Sequence, residues 1–161
     1  ARIAGVRETV EETSLVLAPD ALVDLSCWVP PLQAPKRLRT WFFLAPAPAG
    51  EIRLNPGELI DYAWLRPGDA LQLHRTGKML LVAPTVVTLT LLQRFQDAAA
   101  ALEHAAGAVP ETFSSRLLDG YEPDAVIAWH GDEEYPGEGT GQSGDRHRLV
   151  MRGSDWRYER N

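Results

Sequence analysis

Arg7-Glu8-Thr9-Val10-Glu11-Glu12 places three carboxylates within five residues. At 3.6 residues per turn, Glu8, Glu11 and Glu12 stand at i, i+3 and i+4, with Cβ atoms roughly 5–6 Å apart on one side of a helix. Ile3, Val6 and Val10 fall on the other side. The segment therefore reads as an amphipathic helix that packs an apolar stripe on a core and turns an acidic face to a cleft. A solvated face carrying an Arg7–Glu11 pair at i, i+4 is the plain alternative. Against it, each like-charge pair at this spacing costs about 0.2–0.5 kcal/mol and no Lys intervenes, so a hard cation is the expected neutraliser.

The pattern Arg-Glu-x-x-Glu-Glu, followed by a small and an aliphatic residue, is filled here by Arg7, Glu8, Glu11, Glu12, Ser14 and Leu15. It resembles the second half of the Nudix box, the signature of the Nudix hydrolases. The resemblance implies a box carried on a loop-helix-loop, with Glu8, Glu11 and Glu12 binding Mg2+ or Mn2+, which activates water against a pyrophosphate linkage. Arg7 is expected to orient a glutamate. Counted back from Arg7, the leading Gly and a further Glu of the box would fall before Ala1, as would the strands that the family fold places ahead of it. Ser14 stands where the family usually has Gly, at a helix-ending αL position that a side chain occupies at a steric cost.

A second stretch, Gly57-Glu58-Leu59-Ile60-Asp61-Tyr62-Ala63-Trp64-Leu65, resembles a late strand of many Nudix proteins, in which acidic residues precede a strand ending in Trp and a short helix follows. Glu58 is carried over as a further metal ligand or water-orienting carboxylate, with a solvated turn residue after Asn55-Pro56-Gly57 as the alternative. Cys27-Trp28-Val29-Pro30 and Lys36-Arg37-Leu38-Arg39-Thr40-Trp41-Phe42-Phe43-Leu44 resemble a strand pair of the subgroup that contains the peroxisomal acyl-coenzyme A diphosphatase.

These resemblances imply an α+β fold, a Nudix-like α/β/α sandwich with a mixed sheet over residues 1–107 that lacks its N-terminal strands. Residues 108–161 are expected to add a β-rich extension of the same domain, an extra C-terminal β-hairpin layer. The implied activity is hydrolysis of a nucleoside diphosphate linked to another moiety, of the coenzyme A, acyl-coenzyme A or ADP-ribose type. Arg7, Glu8 and Glu58 would be catalytic, and Glu8, Glu11 and Glu12 the metal ligands. The alternatives are a Nudix-like module that binds a nucleotide or a partner without catalysis, and a structural protein with an acidic surface helix.

With 161 residues, 45% of them hydrophobic, the chain is one domain by length and can bury a core. A formal net charge of −6 argues against duplex nucleic acid, whose binding needs a dense set of Lys and Arg. The single cysteine, Cys27, excludes an intrachain disulfide and a thiolate metal cluster, and its apolar neighbours suggest a buried thiol. No apolar run reaches the ~20 residues of a membrane helix, so no membrane partner and a cytoplasmic location are expected.

Along the chain, strands are expected at residues 21–29, 37–45 and 59–65, with a short hairpin partner at 51–54. A short helix is expected over 69–74 with Asp69 as its cap, and a longer one after Pro84-Thr85 with Val86, Leu89, Leu92 and Phe95 at helical spacing. Asp97 should cap an Ala-rich helix over 98–106. Its stripe is read as core, with a regulatory or homodimer helix as the alternative.

Short apolar runs at 112–118, 125–129 and 148–151 read as further strands. Between them, Gly139-Thr140-Gly141-Gln142-Ser143-Gly144 spells a dinucleotide fingerprint, but a strand and not a helix follows it, so it reads as a loop. His130-Gly131-Asp132-Glu133-Glu134 has metal-binding residue types in a Gly/Pro-rich loop, a weak setting for a fixed site. Arg146, His147 and Arg148 form a small basic cluster that reads as exposed strand residues, with contact to a phosphate as the alternative.

Overall fold

Trp28, Phe113 and Trp129 form an aromatic cluster that organises the larger part of the chain. The Trp28 and Phe113 rings stack at 4.0 Å and 8°, and Trp129 stands edge-on to both, at 5.7 and 5.5 Å. All three are buried, and the Trp129 indole N–H donates to Ser115 Oγ at 3.0 Å, so the polar tip of the innermost ring is satisfied.

The computed structural model describes residues 1–57 and 59–161. In chain order the elements are α1 (Arg2–Thr13), β1 (Val23–Val29), β2 (Thr40–Leu44), α2 (Pro67–Arg75), α3 (Ala83–Leu92), α4 (Ala98–Gly107), β3 (Glu111–Ser114), β4 (Arg116–Leu118), β5 (Ala125–Ala128), β6 (His147–Arg152) and β7 (Asp155–Arg160). The protein is thus an α+β protein. One sheet has the order β2-β1-β3 and the other the order β4-β5-β6-β7. Two compact units interleave along the chain: Ala1–Ser26, Trp41–Trp64 and Phe95–Glu111 form one, and Cys27–Thr40, Leu65–Arg94 and Thr112–Asn161 the other. Among the described residues, no helix is long and apolar enough to cross a membrane.

The four-stranded sheet is an antiparallel meander. Its last hairpin pairs Arg152 with Asp155, leaving Gly153 and Ser154 as a two-residue loop. Such loops need a positive φ at the first central residue to match the strand twist, and Gly153 supplies it at 53°. The sequence patterning found β5 and β6 but not β7, whose Asp155-Trp156-Arg157-Tyr158-Glu159-Arg160 carries too much charge for its alternation to stand out.

In the same unit, α2 opens with Pro67 in its first turn, where a missing N–H costs nothing. Asp69 does not cap it: Arg66 is the N-cap residue and no side chain bonds the free amides, so Asp69 acts on the helix end only through charge. α3 buries Val86 and Val87, so burial overrides the low helix propensity of this β-branched run, and Phe95 lies beyond the helix end.

In the other unit, Asp97 caps α4 as expected, accepting from the Ala100 N–H at 2.9 Å. The face of α4 that is buried belongs to Ala101 and Ala105, while Leu102 is half-buried. Two strand expectations fail here. Residues 51–54 form no hairpin; the Arg53 and Asn55 N–H groups donate to the Thr13 and Glu12 carbonyls at 2.9 and 3.0 Å, filling acceptors that the end of α1 leaves open. Residues 59–65 form no strand either, and Ile60, Tyr62 and Trp64 are 97%, 51% and 70% exposed.

α1 also departs from its expected orientation, since none of its residues is fully buried and Ile3 is 82% exposed. The helix is held instead through Arg2, which donates to the Leu22 carbonyl and pairs with Asp24, and through Gly5, which lies against Phe43. Its end is as read from the sequence: Ser14 adopts φ 61° and ψ 8°, and its N–H donates to the Val10 carbonyl at 2.9 Å. Ser14 is the one non-glycine residue with positive φ among the described residues. Replacing Ser14 with Gly removes a steric cost of about 1 kcal/mol, offset in part by the freer unfolded chain. Ser14→Gly is expected to raise the melting temperature by about 2 °C, and Ser14→Val to lower it, measured by thermal unfolding followed by circular dichroism.

Candidate functional site

The helical spacing brings Arg7, Glu8 and Glu11 together on α1. Arg7 Nη2 lies 3.6 Å from Glu8 Oε1 and Arg7 Nε lies 3.6 Å from Glu11 Oε1. The side chains of Arg7, Glu8 and Glu11 are 64%, 57% and 59% exposed, so water screens these pairs and each is worth about 0–1 kcal/mol. Glu12, one residue on, is half-buried, and its carbonyl is taken by the Asn55 N–H at 3.0 Å. Glu58 lies outside the described residues.

All the donors on this face are carboxylate oxygens, the chemistry that suits a hard divalent cation retaining much of its water. Among the described residues no three His, Cys, Asp or Glu side chains converge on one point as a preformed cage. The face carries its oxygen atoms on one helical side only.

A denser set of charges lies in the four-stranded unit, at residues read from sequence as loop and exposed strand. Asp132 is fully buried, and Arg148 is 4% exposed. Arg148 Nε donates to Asp132 Oδ2 at 2.7 Å and Nη2 donates to Oδ1, a bidentate pair, while Nη1 reaches Glu134 Oε1 at 2.8 Å and the Tyr121 hydroxyl at 2.9 Å. Asp132 also accepts the backbone N–H of His147 at 2.8 Å and that of Glu134 at 2.9 Å. The expectation that His147 and Arg148 are exposed is therefore wrong: β6 is covered on both faces where it begins, with His147, Arg148 and Leu149 all buried.

The titration of this network follows from its contacts. Burial pushes the Asp132 carboxyl up, but the hydrogen bonds from Arg148, His147 and Glu134 together with the Arg148 charge outweigh it and hold it below the usual carboxylate range. Glu134 is lowered by its bonds from Tyr121 and Arg148, and Glu133 by the Gly144 N–H and the Arg146 guanidinium. Burial and the Glu134 carboxylate raise the Tyr121 hydroxyl. Arg148 is raised by its bonds to Asp132.

The Gly-rich segment leads into β6 and not into a helix, and it folds back on the Asp132 turn. The Gly131 N–H donates to the Gly139 carbonyl at 2.8 Å and the Gly141 N–H to the Asp132 carbonyl at 2.8 Å. Gly139 has φ 97°, and a Cβ there would run into the His130 ring, so glycine is required by packing as well as by backbone conformation. The charges of Asp132 and Arg148 are spent on one another, which makes the network a structural device. The chain matches no known protein family, curated protein or solved structure.

Arg148→Met strips a buried carboxylate of its cation and is expected to cost about 3–5 kcal/mol in urea unfolding. In the native protein the lowered Asp132, Glu133 and Glu134 contribute stability that is fully present above their unfolded pKa values of about 4 and is lost as pH falls through the folded ones. The variant should show the opposite slope, losing stability as pH rises from about 4, because an unpaired buried Asp132 favours its neutral form.

Proposed function

We propose that this protein is a metal-dependent hydrolase of diphosphate bonds, of the Nudix type. The observation that supports this reading is the end of α1: Glu8, Glu11 and Glu12 at i, i+3 and i+4, Arg7 within 3.6 Å of the first two, and the helix closed by Ser14 in the αL conformation at the position of the box glycine. A short amphipathic helix alone would need neither the like-charge crowding nor the strained ending.

Glu8, Glu11 and Glu12 would hold Mg2+ or Mn2+. When bound, such an ion polarises phosphoryl oxygen and lowers the pKa of a coordinated water. Arg7 lies 3.6 Å from both Glu8 and Glu11 and would hold them to one side of the helix. Glu58 would orient the attacking water or add a ligand. The substrate class is a nucleoside diphosphate linked to a second moiety, as in coenzyme A, acyl-coenzyme A or ADP-ribose. The buried free thiol of Cys27 supports a reducing, cytoplasmic setting. The exposure of Glu8 and Glu11 favours a second reading, a module that binds a nucleotide or a partner without turnover.

Incubation with Mg2+ or Mn2+ and a panel of coenzyme A and ADP-ribose should release phosphate-bearing products, resolved by chromatography. Glu12→Gln should lower kcat/KM by more than about 100-fold, because losing even an outer partner of a metal ligand costs about 10–100-fold. Undiminished turnover in that variant overturns the assignment; saturable nucleotide binding without turnover in the native protein establishes the second reading.

A further inference from the structure

We propose that the loop joining β1 to β2 docks on an anionic lipid bilayer, with its cations against the headgroups and two leucines in the apolar boundary beneath them. The loop covers residues 30–39 and reads Pro30-Pro31-Leu32-Gln33-Ala34-Pro35-Lys36-Arg37-Leu38-Arg39. Lys36, Arg37, Leu38 and Arg39 are all exposed, and among the described residues the three cations make no ion pair and no side-chain hydrogen bond. No Asp or Glu occurs between Asp24 and Glu51, and those two are themselves paired with Arg2 and Arg53. In a chain of net charge −6, three positive charges thus stand within four residues with no acid near them in sequence.

The leucines supply the second half of the surface. Leu38, inside the basic run, is 70% exposed, and Leu32 is 66% exposed. The Ala34 N–H donates to the Pro31 carbonyl at 3.1 Å, a tight turn whose central residues are Leu32 and Gln33. Such positions usually go to Gly, Pro, Asn, Asp or Ser, and a branched apolar side chain there adds nothing to the turn. Pro30, Pro31 and Pro35 fix their own φ, so less chain freedom is lost when the loop meets a partner.

An anionic bilayer answers both halves at once. Each Lys or Arg at its surface is worth about fivefold in affinity, and the boundary of the acyl chains lies within reach of a leucine. Contact of this kind needs no spanning helix. Single-stranded nucleic acid would meet the cations, but leucine offers no ring on which a base can stack. At physiological ionic strength charges more than about 8 Å from the contact are largely screened, so the local cations and not the net charge decide the encounter.

The test is binding of the full chain to vesicles of phosphatidylcholine alone and of phosphatidylcholine with about one-third phosphatidylserine, followed by co-sedimentation. EDTA is present throughout, so that the α1 carboxylates cannot bridge to lipid through a divalent ion. Binding to the anionic vesicles only is expected, weakened at least about tenfold by Lys36→Glu with Arg37→Glu, and also weakened by Leu38→Asp. These side chains are exposed, and circular dichroism of each variant should match the native protein. Leu38→Cys carrying a polarity-sensitive dye, with the buried Cys27 left unlabelled, should shift to the blue on the same vesicles. No binding to the anionic vesicles, equal binding to the neutral ones, indifference to the charge reversals or to Leu38→Asp, or a dye that stays in water would overturn the proposal. So would binding of a single-stranded RNA or of polyglutamate through the same cations in place of the vesicles.

Discussion

The bidentate pair between Arg148 and Asp132 is the constraint on which the four-stranded unit depends. A carboxylate with no exposure is tolerable only when its charge and its lone pairs are met, and Asp132 receives two N–H groups of Arg148 and the backbone amides of His147 and Glu134. Those four donors come from the start of β6 and from the turn itself. The pair therefore pins a loop to a strand that is buried on both faces, beside the Trp28, Phe113 and Trp129 cluster. The Gly-rich segment then closes over the turn with main-chain bonds, and Tyr121 and Glu134 complete the outer side of the guanidinium. Apolar burial supplies the driving force there; the ion pair selects which loop conformation goes with it.

The proposed metal face on α1 obeys the opposite logic. The Glu8 and Glu11 side chains are more than half exposed and their pairs with Arg7 are at 3.6 Å, beyond hydrogen-bonding distance, so they contribute little to folding. Groups that the fold does not use are available to a ligand.

Legibility in the sequence followed the range of the interactions. The αL ending at Ser14 and the Asp97 cap were readable because each is decided within four residues of chain, by backbone sterics or by a side chain reaching its own helix end. β1, β2, β5 and β6 announced themselves through β-branched and aromatic runs. The strand expected at 59–65 had the same pattern, but a strand exists only with a neighbour to bond, and none of the described elements pairs with it. β7 erred in the other direction, since hairpin pairing with β6 made a strand of a charged segment.

The sequence by itself determined the α+β composition, the positions of the helices, the acidic i, i+3, i+4 face with its arginine, and the glycine-like ending after it, all properties of contiguous residues. Only the tertiary structure decided which charges are buried. Asp132 and Arg148 are sixteen residues apart, and nothing near either one in the chain distinguishes them from the solvated Asp and Arg elsewhere. The hydrogen bond that His74 Nδ1 accepts likewise comes from an amide seven residues away. Burial and pairing are fixed by which distant segments meet, because desolvation and hydrogen bonding act through space, whereas helix spacing and capping act along the chain.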